Sequence, residues 1–162
     1  MNKLHKAFEK GKAFIPFVTA GDPSLDVTEN LIYAMEQSGA DLIEIGIPFS
    51  DPVAEGEVIQ KASERALAAG TTIEKIFGMV EKVRRRSNVP LAFMTYYNPV
   101  FAYGGERFAR RASELGVDAF IIPDLPFEEK GELEDVCREN SVCLISMITP
   151  TSGDRIARIA EK

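Results

Sequence analysis

Short apolar runs alternate along the chain with longer segments in which apolar residues recur at helical spacing. The runs of strand length occupy residues 14–19, 41–47, 90–96, 118–123 and 142–148. The segments of helical spacing occupy residues 2–10, 25–38, 57–69, 73–86, 104–115, 127–139 and 152–162. A strand followed by a helix, repeated five times, predicts an α/β fold with parallel strands and right-handed crossovers. No linker or low-complexity stretch interrupts the pattern, so we expect residues 1–162 to form a single domain.

Polar residues that could contact a ligand follow the predicted strands at their carboxyl ends. They are Asp22, Ser50, Asp51, Asn98 and Asp124. Parallel α/β folds build their active sites from the loops at this edge of the sheet. Asp22 and Asp51 each precede a proline, however, so both also suit turns and helix caps. For Asp22 we favour that structural interpretation, because Asp22-Pro23-Ser24 is typical of a turn that leads into a helix.

Glu44 is the unusual residue of the second strand, because it interrupts an otherwise apolar run. Alternation places Ile43, Ile45 and Ile47 on one face and Glu44 on the other. If the sheet curves into a barrel, the aliphatic face packs under the helices and Glu44 points inward near the carboxyl end. Partial burial there should raise the pKa of Glu44, which suits a group that exchanges a proton near neutral pH. The alternative is a structural carboxylate held by backbone donors or a lysine.

A second carboxylate, Glu55, lies in the loop that follows this strand. Two carboxylates from one strand and its loop could act as an acid/base pair, or as a base and a hydrogen-bond acceptor. A carboxylate in a loop can equally well be only solvated.

Composition and charge exclude several functional classes. The formal net charge of −6 argues against a surface that binds nucleic acid or an anionic membrane. We expect the basic cluster Arg84-Arg85-Arg86 to complement a helix dipole. Cys137, Cys143 and His5 lack the spacing of a metal site, so we predict no metal. No apolar leader or membrane-length run is present, and we therefore expect a cytoplasmic protein with reduced thiols.

Several motifs resemble the family of tryptophan synthase α subunits. They are F-I-P-F-V-T-A-G-D-P at 14–23, E-I-G-I-P-F-S-D-P at 44–52, Y-Y-N-P at 96–99 and P-D-L-P at 123–126, together with Gly39-Ala40-Asp41, Ile59-Gln60 and Gly116-Val117-Asp118. They occur in order along essentially the whole chain, and the 44–52 motif is highly specific. The resemblance implies a (β/α)8 TIM barrel, present here as about five parallel strands with their helices.

The resemblance also implies an activity and a partner. The family cleaves indole-3-glycerol phosphate to indole and glyceraldehyde 3-phosphate without a cofactor of its own. It passes the indole to a pyridoxal-phosphate-dependent β subunit, with which it forms a heterotetramer. Loop 49–58 and the stretch 98–104 resemble the surfaces that contact that subunit.

Particular residues of this chain match the family's site. Glu44 stands at the position of the catalytic acid/base that protonates C3 of the indole ring. Glu55 stands where the family usually has an aspartate that accepts a hydrogen bond from the indole N–H, so its reach is longer by about one carbon–carbon bond. Phe17, Met94 and Ile121 match the substrate-binding lining of the indole pocket, although apolar strand residues are also ordinary core.

The chain is short for this fold, because a (β/α)8 barrel needs about 250 residues. The strands that carry the family's catalytic tyrosine, mobile loop and phosphate site have no counterpart in this sequence. Five strands leave two open edges, so we expect a piece of a longer protein that alone is unstable or self-associates. The alternatives are a dimer that completes the barrel, and a non-catalytic fragment that keeps only the β-contacting loops.

Overall fold

The computed structural model describes residues 3–161 and contains one sheet of five parallel strands. The strands are β1 (Phe17–Thr19), β2 (Ile43–Gly46), β3 (Leu91–Met94), β4 (Ala119–Ile121) and β5 (Cys143–Ile145). They lie side by side in chain order, and each neighbouring pair is parallel. Each strand falls inside a predicted apolar run, although all five are shorter than predicted. The predicted α/β fold with parallel strands is therefore confirmed.

Within the described residues, eight α-helices connect or flank these strands. They are α1 (Lys3–Phe8), α2 (Leu25–Gln37), α3 (Glu57–Ala68), α4 (Ile73–Arg84), α5 (Tyr97–Tyr103), α6 (Gly105–Glu114), α7 (Gly131–Glu139) and α8 (Arg155–Ala160), with a 3₁₀ turn at Pro150–Ser152. The helix expected from residue 152 begins only at Arg155, after this turn. Residues 2 and 162, the outer ends of the first and last predicted helices, lie outside the described residues.

Helix α5 was not predicted, because its start is stabilised by a distant residue. The side chain of Tyr96, which precedes the helix, makes no capping hydrogen bond. Instead the Tyr97 N–H donates to Asp124 Oδ1 at 2.9 Å, from 27 residues further along the chain. Pro99 fits the first turn, where a backbone N–H has no helical partner. Gly104, with a φ of +93°, separates α5 from α6.

The outer face of the sheet is buried under helices, whereas the inner face is only partly covered. The outer face carries Ile43, Ile45, Phe93 and Phe120 and packs against the helices in a large core. The inner face forms a smaller cluster with Ala7 of α1, which contains Ala92, Ala119 and Ile121 of the strands and Leu42, the residue before β2. Ile43 and Ile45 belong to the outer core, whereas the strand residues aligned with Glu44, Ala92 and Ala119, belong to the inner cluster. The predicted separation of Ile43 and Ile45 from Glu44 is therefore confirmed.

The basic cluster at the end of α4 has a structural role. Arg84 donates to the carbonyls of Gly116 at 2.7 Å and Val89 at 2.6 Å, and its guanidinium lies 3.3 Å from the Asp118 carboxylate. Arg84 therefore ties the loops at the amino ends of β3 and β4 together. This contact goes beyond the expected interaction with the helix dipole.

Candidate active site

The register of the strands places Glu44 in a layer of mostly small side chains. Phe17, Glu44, Ala92, Ala119 and Cys143 are aligned across the five strands. Paired residues of parallel strands project from the same face. The two alanines are fully buried and cluster with Ala7 of α1, which therefore covers this part of the inner face.

A largely apolar cavity of about 540 Å³ lies on the same inner face, with Glu44 in its wall. Helix α1 covers part of it with Leu4 and Phe8. His5 of the same helix also lines the cavity. The remaining lining comes from the inner face and its flanking segments: Ile15, Leu42, Glu44, Met94, Ile121, Cys143, Ile145 and Met147. Glu44 is the one carboxylate among these residues, so the acidic group that a ligand meets at this wall is Glu44.

The Glu44 carboxylate has no partner within residues 3–161. Neither a lysine nor a backbone donor contacts it, and desolvation by burial raises its pKa. The alternative in which backbone donors or a lysine hold the Glu44 side chain is therefore not observed among residues 3–161. The expected increase in the pKa is confirmed, and the group can hold a proton closer to neutral pH than an exposed glutamate does.

The predicted lining residues differ in their placement. Met94 and Ile121 lie in the cavity wall with Glu44. Phe17 pairs with Glu44 in the register, but its ring lies over Gly46 and is not part of the lining. A side chain at Gly46 would place its Cβ 2.5 Å from Phe17 Cζ.

Sequence reasoning missed the part of the wall that comes from β5 and α1. Cys143 and Ile145 are two residues apart on β5 and therefore project from the same face of the strand. Period-two spacing in the sequence could have indicated that both face inward. Nothing comparable in the sequence indicated that Leu4 and Phe8 of α1 lie over the same face.

Glu55 does not line the cavity. It lies in the loop between β2 and α3, where its carboxylate accepts a hydrogen bond from the hydroxyl of Tyr96. Tyr96, a residue that sequence reasoning did not select, follows β3 and is 4% exposed. Because Tyr96 lies two residues beyond Met94 on extended backbone, it continues the inward-facing series of β3. The structure thus brings Glu55 to the carboxyl edge of the same face.

Two of the polar residues at the strand ends hold the framework. Asp22 accepts two hydrogen bonds from Arg65 of α3 at 2.8 and 2.7 Å, and this contact lowers the pKa of Asp22. Asp22 lies in the turn that leads into α2, as the favoured structural interpretation expects, and the cap of that helix is Ser24, whose Oγ accepts the Val27 N–H. Asp124 caps α5, as described above.

Other chemistries have no site in the described residues. Between residues 3 and 161 no three His, Cys, Asp or Glu side chains are grouped as metal ligands. Cys137 and Cys143 are free thiols. No helix in the same range is long and apolar enough to cross a membrane.

Comparison with known proteins gives one consistent result. The family model for the tryptophan synthase alpha chain matches residues 3–162. The tryptophan synthase alpha chain of Alkaliphilus metalliredigens is 52% identical over 162 residues, which cover 99% of this chain and 60% of that protein. The alpha chain of Clostridium kluyveri is 50% identical over 165 residues, with 99% and 63% covered.

Solved structures agree with the sequence comparison. Tryptophan synthase subunit alpha from Legionella pneumophila superposes with a TM-score of 0.92 at 39% identity, covering 98% of this chain and 63% of that one. A chain of the tryptophan synthase α2β2 complex from Pyrococcus furiosus gives a TM-score of 0.86 at 37% identity, covering 91% and 62%. The chain thus spans about 60% of the length of the curated relatives that it matches.

The match covers the segment that contains Glu44, its cavity and the Glu55 loop. From its sequence and its structure together, the chain belongs to the tryptophan synthase alpha chain family.

Proposed function

We propose that the chain supplies the catalytic acid/base wall of an enzyme that cleaves indole-3-glycerol phosphate into indole and glyceraldehyde 3-phosphate. The observation that carries this proposal is the Glu44 carboxylate, which has no partner among residues 3–161 and lies in a largely apolar cavity. The proposal treats residues 1–162 as one domain, the N-terminal part of a (β/α)8 barrel.

The chemistry needs one group that gives and then takes a proton. Protonated Glu44 donates its proton to C3 of the indole ring, which makes the ring an electrophilic iminium. The hydroxyl on the adjacent side-chain carbon then loses its proton to the Glu44 carboxylate. The carbon–carbon bond breaks, its electron pair returns to the ring, and the hydroxyl-bearing carbon becomes the aldehyde. A carboxyl with a raised pKa suits both transfers.

The other candidate residues have supporting roles in this proposal. Met94 and Ile121 would contact the flat, apolar indole ring, and Phe17 would close the space above Gly46. Glu55 would accept a hydrogen bond from the indole N–H. The proposed reaction uses acid/base chemistry alone and requires no cofactor in this chain.

A second candidate function is binding without catalysis. Val53, Val58 and Phe101 are 80%, 78% and 69% exposed at the carboxyl edge of the sheet. Exposed apolar side chains on neighbouring segments favour a protein partner. We propose the pyridoxal-phosphate-dependent β subunit as that partner, since one solved relative is part of an α2β2 complex.

The proposal includes a cytoplasmic location, which is consistent with two free cysteines. Cell fractionation with an antibody against residues 1–162 would test this.

The decisive experiment measures indole release from indole-3-glycerol phosphate. It uses this chain alone and a chimera, here called the completed chain, in which residues 1–162 are continued by the C-terminal part of the Alkaliphilus metalliredigens relative. We expect turnover by the completed chain and a loss of about a hundredfold or more in Glu44→Gln. The matched control is Glu64→Gln, which removes an exposed carboxylate of α3.

The outcomes separate the two candidates. A folded completed chain whose turnover is unaffected by Glu44→Gln would contradict the catalytic role of Glu44. Absence of turnover together with retained binding of the β subunit would favour the binding function.

A further inference from the structure

Tyr96 makes three hydrogen bonds to one loop. Its hydroxyl oxygen accepts the backbone N–H groups of Val53 at 3.1 Å and Ala54 at 2.9 Å. The same hydroxyl donates its proton to Oε2 of Glu55. A single phenol oxygen therefore holds both the backbone of this loop and its carboxylate.

The sheet fixes the position of this hydroxyl. Tyr96 follows β3 directly, and its neighbour Thr95 continues the ladder through an N–H bond to the Ile121 carbonyl at 3.1 Å. The ring is buried and packs against Phe49, with ring centroids 5.4 Å apart. Burial, together with the Glu55 carboxylate, raises the pKa of Tyr96, so the hydroxyl keeps the proton that it donates.

The loop itself has little other support. Val53 is among the most exposed apolar residues of the chain, and Ala54 and Gly56 are also exposed. On the other side of Glu55, Gln60 Nε2 donates to the Glu55 carbonyl at 2.9 Å. Glu55 is thus held between Tyr96 on the sheet and Gln60 on α3.

We propose that Tyr96 is a positioning residue that fixes the Glu55 carboxylate at the carboxyl edge of the sheet's inner face. The inference rests on the proposed function, because it gives Glu55 its place in indole recognition. Tyr96 occupies Oε2 of Glu55, which leaves Oε1 available for a donor on the substrate. The longer side chain of a glutamate has more rotamers than an aspartate, so an external hydrogen bond is an effective way to select one of them.

The test is a double-mutant cycle in the completed chain. Tyr96→Phe removes only the hydroxyl oxygen and keeps the ring. We expect kcat/KM for indole-3-glycerol phosphate to fall about 10- to 100-fold, the range for one hydrogen bond to a charged group. If Tyr96 acts through Glu55, the same change made in Glu55→Ala, which has no side-chain acceptor for the hydroxyl, has an effect of less than about threefold. Full additivity of the two changes, or no effect of Tyr96→Phe, would overturn the proposal.

A second measurement is independent of turnover. Amide hydrogen exchange of Val53 and Ala54 is compared in the chain of residues 1–162 and in its Tyr96→Phe variant. We expect faster exchange at both amides in the variant, because their shared acceptor is lost. Tyr103→Phe is the matched control, since that hydroxyl donates to Glu74 instead. Unchanged exchange at Val53 and Ala54 would exclude Tyr96 as the anchor of the loop.

The two proposals can fail separately. If turnover depends on Glu44 but not on Tyr96, the proposed function remains and the positioning role is wrong. If no turnover occurs but exchange at Val53 and Ala54 depends on Tyr96, the hydroxyl anchors the loop and the enzymatic proposal is wrong.

Discussion

Gly46 makes room for the aromatic ring of Phe17 at the inner face of the sheet. A Cβ built at Gly46 would lie 2.5 Å from Cζ and 2.8 Å from Cε2 of that ring. The φ of Gly46 is not in the left-handed region, so an alanine is compatible with the backbone and only the ring opposes it. Gly46→Ala therefore tests how closely β1 and β2 are packed beside Glu44.

The magnitude follows from this contact. Ordinary carbon contacts begin near 3.4 Å, so the ring must retreat by about 1 Å to accept the new methyl group. Overpacking of this kind typically costs about 1–3 kcal/mol. Phe17 is only partly buried, so its ring can yield toward solvent. We expect a loss of about 1–2 kcal/mol in the free energy of unfolding.

The assay is urea unfolding of the completed chain followed by circular dichroism. Gly78→Ala is the matched control, because Gly78 lies inside α4 with no atom within 4 Å of its added Cβ. The same glycine-to-alanine change should stabilise the protein there by about 0.5–1 kcal/mol. The two variants are thus expected to differ in sign.

A cycle with Phe17→Leu tests the cause directly. Leucine lacks the outer ring atoms that meet the new methyl group, so Gly46→Ala should be nearly neutral in the Phe17→Leu background. An equal loss in both backgrounds would refute the steric argument, as would a Gly46→Ala variant as stable as the parent.

Two further predictions concern buried charge. Burial raises the pKa of Glu44 in the folded protein. The free energy of unfolding is therefore highest, as far as this carboxyl is concerned, at acidic pH below its unfolded pKa. That contribution is lost as the pH rises through the folded pKa, because the buried carboxyl then ionises. Glu44→Gln should have the same free energy of unfolding as the parent near pH 4 and a higher one near pH 8. Urea unfolding measured at about these two pH values tests the direction of the difference. Arg84→Met should lower the free energy of unfolding by about 3 kcal/mol, because it leaves the Asp118 carboxylate, 10% exposed, without its cation. Thermal unfolding would show this against Arg85→Met, whose exposed pair with Glu81 should contribute about 0.5 kcal/mol.

The sequence alone determined the parts of this protein that depend on local pattern. Period-two alternation along β2 was enough to separate Ile43 and Ile45 from Glu44, because successive side chains of a strand must project from opposite faces. Helical spacing located most helices, since one apolar face recurs every three to four residues. The motif at residues 44–52 indicated the family by itself, because its residues are consecutive in the chain.

Only the tertiary structure decided the contacts between distant segments. Helix α5 begins where Asp124 meets Tyr97, and Glu55 is held by Tyr96 from 41 residues away. Neither contact leaves a local pattern, because each depends on which strands are neighbours and in what register. The wall of the cavity beside Glu44 likewise comes from segments far apart in the chain, since Met94, Ile121 and Cys143 lie on neighbouring strands and α1 lies over the same face. The sequence specifies which side chains face inward, whereas the sheet register determines which of them meet.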